Sequence, residues 1–214
     1  MNHRLMKYGS VFFLVMAACL LTSGCAKPPP QSGFLPDYSA LRPDPQDESM
    51  RWWEKKGVDW TRYKKLQIDP VVVYFHPEAK NRQIEPDVLK ELTDHFRTTV
   101  IEEMEGVYPV VDKPGPDVLR IRAAITDLVP ANPVVNVITT VGVFIPLDMG
   151  GASMEAMFLD STTNELLGAV VDARKGAPVD KDLLAGYTTW GHAKAAFRDW
   201  AVMLRESLAV EAGI

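Results

Sequence analysis

The stretch Ser153–Asp160 reads SMEAMFLD, and Leu166–Ala173 reads LLGAVVDA. Large apolar residues alternate with polar or small ones along both segments, which is typical of strands that bury one face. Between them lies a short run of turn-forming residues, Ser161–Asn164 (STTN). Two alternating segments joined by such a turn predict an antiparallel β-hairpin, so we expect the chain to build a sheet around it.

Three segments upstream predict further strands of the same sheet. Leu66–Phe75 is apolar and β-branched and is predicted to be a central strand, with Pro70 marking a bulge or a late start. Val107–Asp112 predicts a short strand, and Val118–Asp127 alternates as a longer one after the turn at Pro114–Asp117. Together with the hairpin, these segments predict a mostly antiparallel sheet.

Two long segments carry apolar residues at helical spacing. The first begins at Glu85–Pro86, where proline is tolerated in the first turn, and ends at Gly106. The second, Thr188–Ala212, closes the chain. Asp47–Lys56 predicts a shorter helix that ends at Gly57. The order of strand, helix, strands and helix predicts an α+β fold: a mostly antiparallel sheet with two amphipathic helices packed on one face.

The alternation along the strands assigns side chains to the two faces of the sheet. Arg120, Arg122 and Glu155 are expected on the face that the helices leave uncovered, together with Asp172. Such a face is an internally ion-paired surface, a binding face, or an acid–base site that combines Glu155 with Asp160 or Asp172. These alternatives remain open at the level of sequence.

Other kinds of chemistry have little support in the sequence. His76, His95 and His192 do not have the spacing of metal ligands, and no His-Glu-x-x-His motif is present. Ser153 lacks the second glycine of a nucleophile elbow, and no glycine-rich phosphate loop is present. We therefore predict no catalytic residue, no metal site and no cofactor.

Arg51–Lys65 is a candidate for contact with a partner. It combines basic residues with aromatic ones, including Trp52 and Trp53, a composition that suits anionic headgroups or glycans. The alternative is that the tryptophans pack on the core while the lysines are solvated.

Leu128–Leu147 is a second candidate, since it carries no formal charge and includes Val137, Ile138 and Phe144. The length of its apolar centre, Val134–Ile145, suits a membrane β-strand, but a lone strand leaves open backbone edges in lipid, so spanning requires an oligomeric barrel. A buried strand or loop, a contact with a partner or a second copy, and membrane insertion are the three alternatives.

The first 25 residues have the features of an export signal. A positively charged start precedes the apolar run Val11–Leu21, which is shorter than a membrane-spanning helix requires. The sequence LTSGC that ends at Cys25 resembles a lipobox, the site at which bacterial lipoproteins are lipidated and cleaved. Cys25 is therefore the predicted lipidation site and residues 1–24 the signal peptide; Cys19 is a rival site inside the apolar run.

Residues 25–46 are predicted to be a proline-rich tether and residues 47–214 a single domain. The apolar residues Phe34, Leu35, Tyr38 and Leu41 interrupt the tether, so part of it is expected to lie along the domain surface. Ala26 follows the predicted lipidation site, and its resemblance to the sorting signal of enteric lipoproteins favours the outer membrane, facing the periplasm. The predicted location is thus the bacterial cell envelope, with the membrane contacted through lipid on Cys25.

Five stretches carry a resemblance to a known family: Ser32–Ser39, Asp69–Val71, Pro116–Asp127, Gly150–Ala156 and the Asp160–Ser161 turn. They are similar to a family of bacterial lipoproteins of unknown function, domain of unknown function 3313, over nearly all of the chain after the lipobox. The resemblance implies no activity, because the family has none established. A looser resemblance of topology links the chain to the curli-secretion channel lipoprotein and related outer-membrane accessory lipoproteins.

Three functional hypotheses follow from these patterns. The first is a non-enzymatic, lipid-anchored envelope protein with a structural, accessory or interaction role, in contact with an envelope protein or a second copy of itself. The second is a hydrolase that acts on an envelope glycan or lipid through the sheet carboxylates. The third is a carrier of a small apolar ligand, which needs an enclosed apolar cavity. Export and the net charge of −5 argue against nucleic acid as a partner.

Overall fold

The computed structural model describes residues 30–79, 81–132, 150–175 and 188–212, which form a mixed β-sheet and two long helices. A short 3-10 helix, Trp60–Arg62, precedes the third strand. No helix within these ranges has both the length and the apolar character that crossing a membrane requires. The helices are α1 (Pro86–Met104) and α2 (Gly191–Ala212). The strands in chain order are β1 (Arg42–Pro43), β2 (Arg51–Glu54), β3 (Lys65–Ile68), β4 (Val72–Val73), β5 (Val118–Val129), β6 (Gly151–Asp160) and β7 (Leu166–Lys175).

The strands lie in the order β1-β2-β7-β6-β5-β3 across the sheet, and β4 also pairs with β5. Each pair from β1 to β5 along this order is antiparallel. In contrast, β3 and β4 run parallel to β5. Both helices pack on the same face of the sheet and on each other. The predicted α+β fold with a mostly antiparallel sheet is therefore confirmed.

The hairpin at the centre of the sheet is the predicted one. β6 and β7 pair from Gly151 with Lys175 to Leu159 with Leu166. On the other side of β6, the register of β5 shifts between Ile125 and Asp127, so one extra residue stands in β5. Such a bulge reverses the alternation of side chains, and Leu128 consequently joins Ile125 in the core beneath the helices.

The larger core lies between the helices and the sheet. Phe96 of α1 stacks on Phe197 of α2 with ring centroids 4.7 Å apart, and Trp200 packs against both rings. Leu92 and Met104, on the same stripe of α1 as Phe96, are completely buried. Burial of one such side chain contributes about 1.5–3 kcal/mol, so this core supplies most of the apolar stabilisation.

A second, smaller core lies on the opposite face of the sheet, beneath residues Ser32–Leu41, which we call the strap. Leu35 and Leu41 of the strap are only 3% and 8% exposed. They pack on strand residues that point away from the helices: Met157, Leu159, Ala169 and Val171. The apolar residues that interrupt the proline-rich stretch thus lie on the domain, and the face that was expected to be uncovered is closed.

Asp47–Lys56 does not form the predicted helix. Arg51–Glu54 is strand β2, which pairs antiparallel with β7 from Arg51 opposite Val171 to Glu54 opposite Gly168. The edge of β7 offers backbone hydrogen-bonding groups along its length, and this pairing outweighs the marginal helix propensity of a short isolated segment.

The predicted central strand Leu66–Phe75 is instead two short strands at one end of the sheet. Pro70 lies between β3 and β4, and a residue without an N–H group cannot continue a ladder of hydrogen bonds. The predicted strand Val107–Asp112 contributes only an isolated bridge to Leu66 among the described residues. Pro109 lies within that segment and lacks a donor for the same reason.

Candidate functional site

Glu155 is the buried acceptor that holds the strap on the sheet. It lies in the middle of β6 and is completely buried. Its Oε1 accepts a hydrogen bond from the Ser32 amide at 3.0 Å, and its Oε2 accepts one from the Tyr38 hydroxyl at 2.6 Å. The oxygen of the same hydroxyl accepts hydrogen bonds from the backbone amides of Gly33 and Leu35. Burial raises the pKa of Tyr38, and donation to Glu155 raises that pKa further, so the hydroxyl remains protonated and able to donate.

Arg120 and Arg122 share a face with Glu155 but are not its partners. Arg120 donates to both carboxylate oxygens of Asp69, with distances of 2.7 to 3.2 Å. Arg122 lies 3.6 Å from the same carboxylate, and its guanidinium also lies over the ring of Phe34 in the strap. The face does carry ion pairs, but they join the arginines to Asp69, whereas Glu155 accepts its hydrogen bonds from the strap.

Asp172 lies on the helix side of the sheet, contrary to the prediction. The register sets Val171 opposite Glu155, so the next residue along β7 points to the other face. The Asp172 carboxylate is completely buried and accepts hydrogen bonds from Arg174 Nε at 2.7 Å and Trp200 Nε1 at 2.8 Å. A third bond, 2.9 Å long, comes from the hydroxyl of Ser49. Asp172 thus ties α2 and the loop before β2 to the sheet.

Asp160 closes the turn of the hairpin. Its carboxylate accepts the amides of Thr162 and Thr163, the hydroxyl of Tyr63 at 3.0 Å and the guanidinium of Arg62 at 2.6 Å. Burial raises the pKa of Asp160, but the hydrogen bonds from Thr163, Tyr63 and Thr162 outweigh it and bring the pKa to about 2. Conversely, burial and the contact with this carboxylate raise the pKa of Tyr63 to about 12. Asp160 therefore stays ionised as the acceptor that organises the turn.

The structure does not bring together the carboxylates of the predicted acid–base site. Glu155 faces the strap, Asp172 faces α2, and Asp160 lies at the turn. Each of them accepts several hydrogen bonds from the protein itself. Within the described residues, no group of three or more histidine, cysteine, aspartate or glutamate side chains is arranged to hold a metal ion.

A cavity of about 550 Å³ lies between the sheet and the C-terminal half of α2. Its walls are predominantly apolar and include the aromatic side chains of Trp52, Trp60, Phe96, Phe158 and Trp200. Sequence patterns identified these residues as strand, helix or interface residues and did not reveal a cavity.

Three small residues, Ala123, Ala156 and Gly168, belong to the lining of this cavity. The sequence shows that they are small, but whether they meet depends on how three strands align. In the structure Ala123 is registered with Ala156, and Gly168 with Phe158. Small residues on the helix-facing side of three strands are therefore the sequence signal for the cavity. That signal can be recognised only once the register of the strands is known.

The two predicted contact segments have different outcomes. In Arg51–Lys65, Trp53 packs with the smaller core and Trp60 with the larger one, whereas Trp52 is 41% exposed beside the cavity. Most of these aromatic side chains thus pack on the domain, which is the alternative to an interface. In the second segment, the first residue, Leu128, is buried, and the candidate contact residues lie outside the described residues: Val137, Ile138 and Phe144.

Comparison with solved structures finds distant similarity. The PelC dodecamer from Paraburkholderia phytofirmans is 8% identical over 73% of this chain and 96% of that chain, with a TM-score of 0.42. The hypothetical protein CT253 from Chlamydia trachomatis is 11% identical over 69% of this chain and 99% of that chain, again with a TM-score of 0.42. The looser resemblance of topology to the curli-secretion channel lipoprotein stays a prediction.

Comparison of sequences finds a nearer relative. The uncharacterized lipoprotein YdcL of Escherichia coli is 30% identical over 123 residues, which are 54% of this chain and 55% of the relative. The chain thus spans about half the length of the curated relatives that it matches. The family model described as "Protein of unknown function (DUF3313)" matches residues 30–204, which include α1, every strand described above and α2 as far as Leu204. The chain belongs to this family.

Proposed function

We propose that this protein is a lipid-anchored protein of the bacterial cell envelope that acts by binding and not by catalysis. The observation that carries the proposal is Cys25 at the end of a short apolar export signal, in a chain whose sequence relative is named a lipoprotein. Outer-membrane sorting through Ala26 and a periplasmic domain are the finer parts of the proposal.

The strap supports a short connection between lipid and domain. Ser32 is already hydrogen-bonded to Glu155 on the sheet. The seven residue steps from Cys25 to Ser32 span at most about 25 Å when fully extended. An anchored domain would therefore lie close to the membrane surface, not at the end of a tether that extends to residue 46.

A binding role is supported by what the buried carboxylates do. Glu155, Asp160 and Asp172 are all less than 5% exposed, and each accepts hydrogen bonds that hold separate parts of the fold together. A hydrolase of the kind considered above needs two of them in one cleft within reach of a substrate. Their separation favours non-covalent binding, with an envelope protein or a second copy as the macromolecular partner.

Lipidation is tested by labelling cells with an alkyne-tagged fatty acid and comparing Cys25→Ser with Cys19→Ser. We expect the Cys25→Ser variant to lose the label and to fail to be processed, whereas the Cys19→Ser variant keeps both label and membrane association. The two cysteines are six positions apart in the same segment, so Cys19→Ser is a matched control. Retention of the label by Cys25→Ser would contradict the proposal.

Sorting is tested by separating inner and outer membranes on a density gradient. We expect the unaltered chain in the outer-membrane fraction and an Ala26→Asp variant in the inner-membrane fraction. Ala26→Ser, which changes the same position without adding charge, is the control. Equal distribution of Ala26→Asp and Ala26→Ser would show that residue 26 does not direct sorting here.

A further inference from the structure

The cavity beneath α2 has the size and lining of a ligand site. Ligand pockets commonly occupy roughly 300–1,000 Å³ and have apolar and aromatic walls, and this cavity of about 550 Å³ falls in that range. Protein interiors leave few voids larger than a water molecule, so a void of this size between a helix and a sheet requires a specific structural cause.

The space is left by a row of cross-strand neighbours in the sheet, which forms the floor of the cavity. Trp52, Val170, Ala156 and Ala123 lie side by side on β2, β7, β6 and β5. The two alanines in the middle of the sheet leave space that larger side chains would fill. Trp52 at one end of the row is 41% exposed, so the floor extends from the interior to the surface.

The next row continues the same shape. Gly168 pairs with Phe158, and a Cβ atom placed on Gly168 would lie 3.4 Å from the Phe158 ring and 3.5 Å from the ring of Trp60. The missing side chain lets these rings approach the sheet and form one wall. The opposite wall comes from α2, chiefly Trp200 and Leu204.

The charged side chains among the described lining residues are predominantly acidic. Among the described residues that line the cavity, one carries a guanidinium, Arg97, which donates twice to the carbonyl of Ile68. Asp69 is paired with Arg120. The remaining acidic residues of the lining are partly or fully exposed: Asp44, Glu54 and Glu206. An anionic headgroup at this mouth would meet like charge, whereas an uncharged or cationic one would not.

We infer that this cavity binds a small, elongated apolar molecule whose polar end is uncharged or cationic, and that it discriminates against fatty-acid-like anions. The inference concerns a site separate from Cys25 and does not depend on lipid anchoring. It names a ligand class that neither the family nor the sequence relative assigns.

The test uses two fluorescent probes that differ in one group. N-phenyl-1-naphthylamine is uncharged, and 8-anilinonaphthalene-1-sulfonate is the same ring system with a sulfonate. Trp52, Trp60 and Trp200 line the cavity, so a bound probe receives energy from tryptophan. A chain without the lipidation site, residues 26–214, is exported with a cleavable signal in place of residues 1–25, so that neither its own lipid nor detergent competes. This chain contains every residue that the structure describes.

We expect saturable energy transfer to the uncharged probe, with an affinity at least ~10-fold higher than for the sulfonate, because like charge at the mouth opposes the anion. Ala156→Phe should reduce the affinity for the uncharged probe at least ~10-fold by filling the floor. Ala123→Met fills the same space with a flexible side chain and serves if Ala156→Phe does not fold. Ala195→Phe makes an equal enlargement on α2 outside the cavity and should leave binding unchanged.

Charge selectivity is tested on α2. Glu206→Lys should raise the affinity for the sulfonate about three- to tenfold, because it replaces a negative with a positive charge at the mouth. Asp199→Lys makes the same change two turns earlier on the same helix, away from the cavity, and should have little effect since salt screens the longer distance. Absence of energy transfer, equal or tighter binding of the sulfonate, or unchanged binding in both filled variants would overturn the inference.

Discussion

The two faces of the sheet are covered by different kinds of structure. On one face, two long helices cover an apolar core with stacked aromatic rings and leave a cavity of about 550 Å³. On the other, a strap from the proline-rich N-terminal stretch covers a small core and is held by a completely buried glutamate. The helix face is stabilised chiefly by the burial of apolar surface area, whereas the strap face depends on a few directed hydrogen bonds.

This difference teaches that a proline-rich stretch after a predicted lipidation site is not necessarily a spacer. The strap combines turn-forming residues with a few apolar side chains, and it finds a sheet face that carries matching apolar residues and one carboxylate. Each face also has its own buried acid, Asp172 beneath the helices and Glu155 beneath the strap. Removing these acids or their donors therefore tests how each face is closed.

The largest effect is expected from Asp172→Ala. The substitution leaves Trp200 Nε1 without its buried acceptor and leaves Arg174 and Ser49 with Asp47 as their remaining acidic partner. Loss of the buried partner of a charge pair costs about 3–5 kcal/mol. We expect the free energy of unfolding in urea to fall by that amount. The control is Asp199→Ala: Asp199 precedes Trp200 on α2 and is exposed, so this substitution should change the free energy of unfolding by less than ~0.5 kcal/mol. A loss below ~1 kcal/mol for Asp172→Ala would mean that this acid does not secure the helix face.

Asp160, at the turn between β6 and β7, is expected to make the stability of the protein depend on pH. Its pKa of about 2 lies below the ordinary value of 3.8, so its ionised form stabilises the folded state by about 2 kcal/mol. This contribution is present in full above pH ~4 and is lost as the pH falls from ~4 towards ~2. We expect the difference in unfolding free energy between the unaltered chain and Asp160→Asn to be largest near neutral pH and to shrink towards pH ~2. A difference that does not change with pH would contradict the assignment.

A smaller effect, confined to the strap, is expected from Tyr38→Phe. Loss of the hydroxyl leaves one oxygen of Glu155 without its donor and removes the acceptor of two strap amides, at a cost of about 1–3 kcal/mol. Hydrogen exchange or limited proteolysis should show the strap opening while α1 and α2 remain protected. Tyr74→Phe is the control, because Tyr74 also lies beside the strap but is 47% exposed. Equal loosening in both variants would show that the bond to Glu155 is not decisive.

The smallest effect is expected at the charged edge of the strap face. Arg120→Gln removes short hydrogen bonds to Asp69, but both side chains retain contact with solvent, so we expect a loss of no more than ~1 kcal/mol. Arg122→Gln should cost less, since that pair is 3.6 Å apart. Thermal unfolding at low and high salt measures both variants, and salt should reduce the effect of Arg120→Gln. A larger loss for Arg122→Gln would reverse this ranking.

The elements with strong local patterns were predictable from sequence. The spacing of Leu92, Phe96 and Met104 shows the buried stripe of α1 without knowledge of any partner, and α2 and the β6–β7 hairpin are equally regular. Prediction failed where two local tendencies compete. Arg51–Glu54 forms a strand because it pairs with the free edge of β7. In Leu66–Phe75, Pro70 divides the expected strand into two short strands.

The candidate sites were predictable only in part, since a one-residue step reverses the face that a strand residue occupies. Glu155 was assigned correctly to the face opposite the helices, whereas Asp172 was assigned there wrongly. The partners of these acids come from distant parts of the chain: Ser32 and Tyr38 for one, Ser49 and Trp200 for the other. Sequence patterns contain no information about which distant donor reaches a buried acceptor.

The sequence by itself determined the two amphipathic helices, the central hairpin and the α+β class, because periodicity and turn chemistry act between neighbouring residues. It also contains the export-signal pattern around Cys25. The tertiary structure alone decided that a strap closes the second face, where Glu155 bonds to a residue 123 positions away. It likewise decided that Ala123 and Ala156 meet beneath α2 and leave a cavity. Both outcomes depend on strand register, which is set by the packing of the whole sheet and not by any one segment.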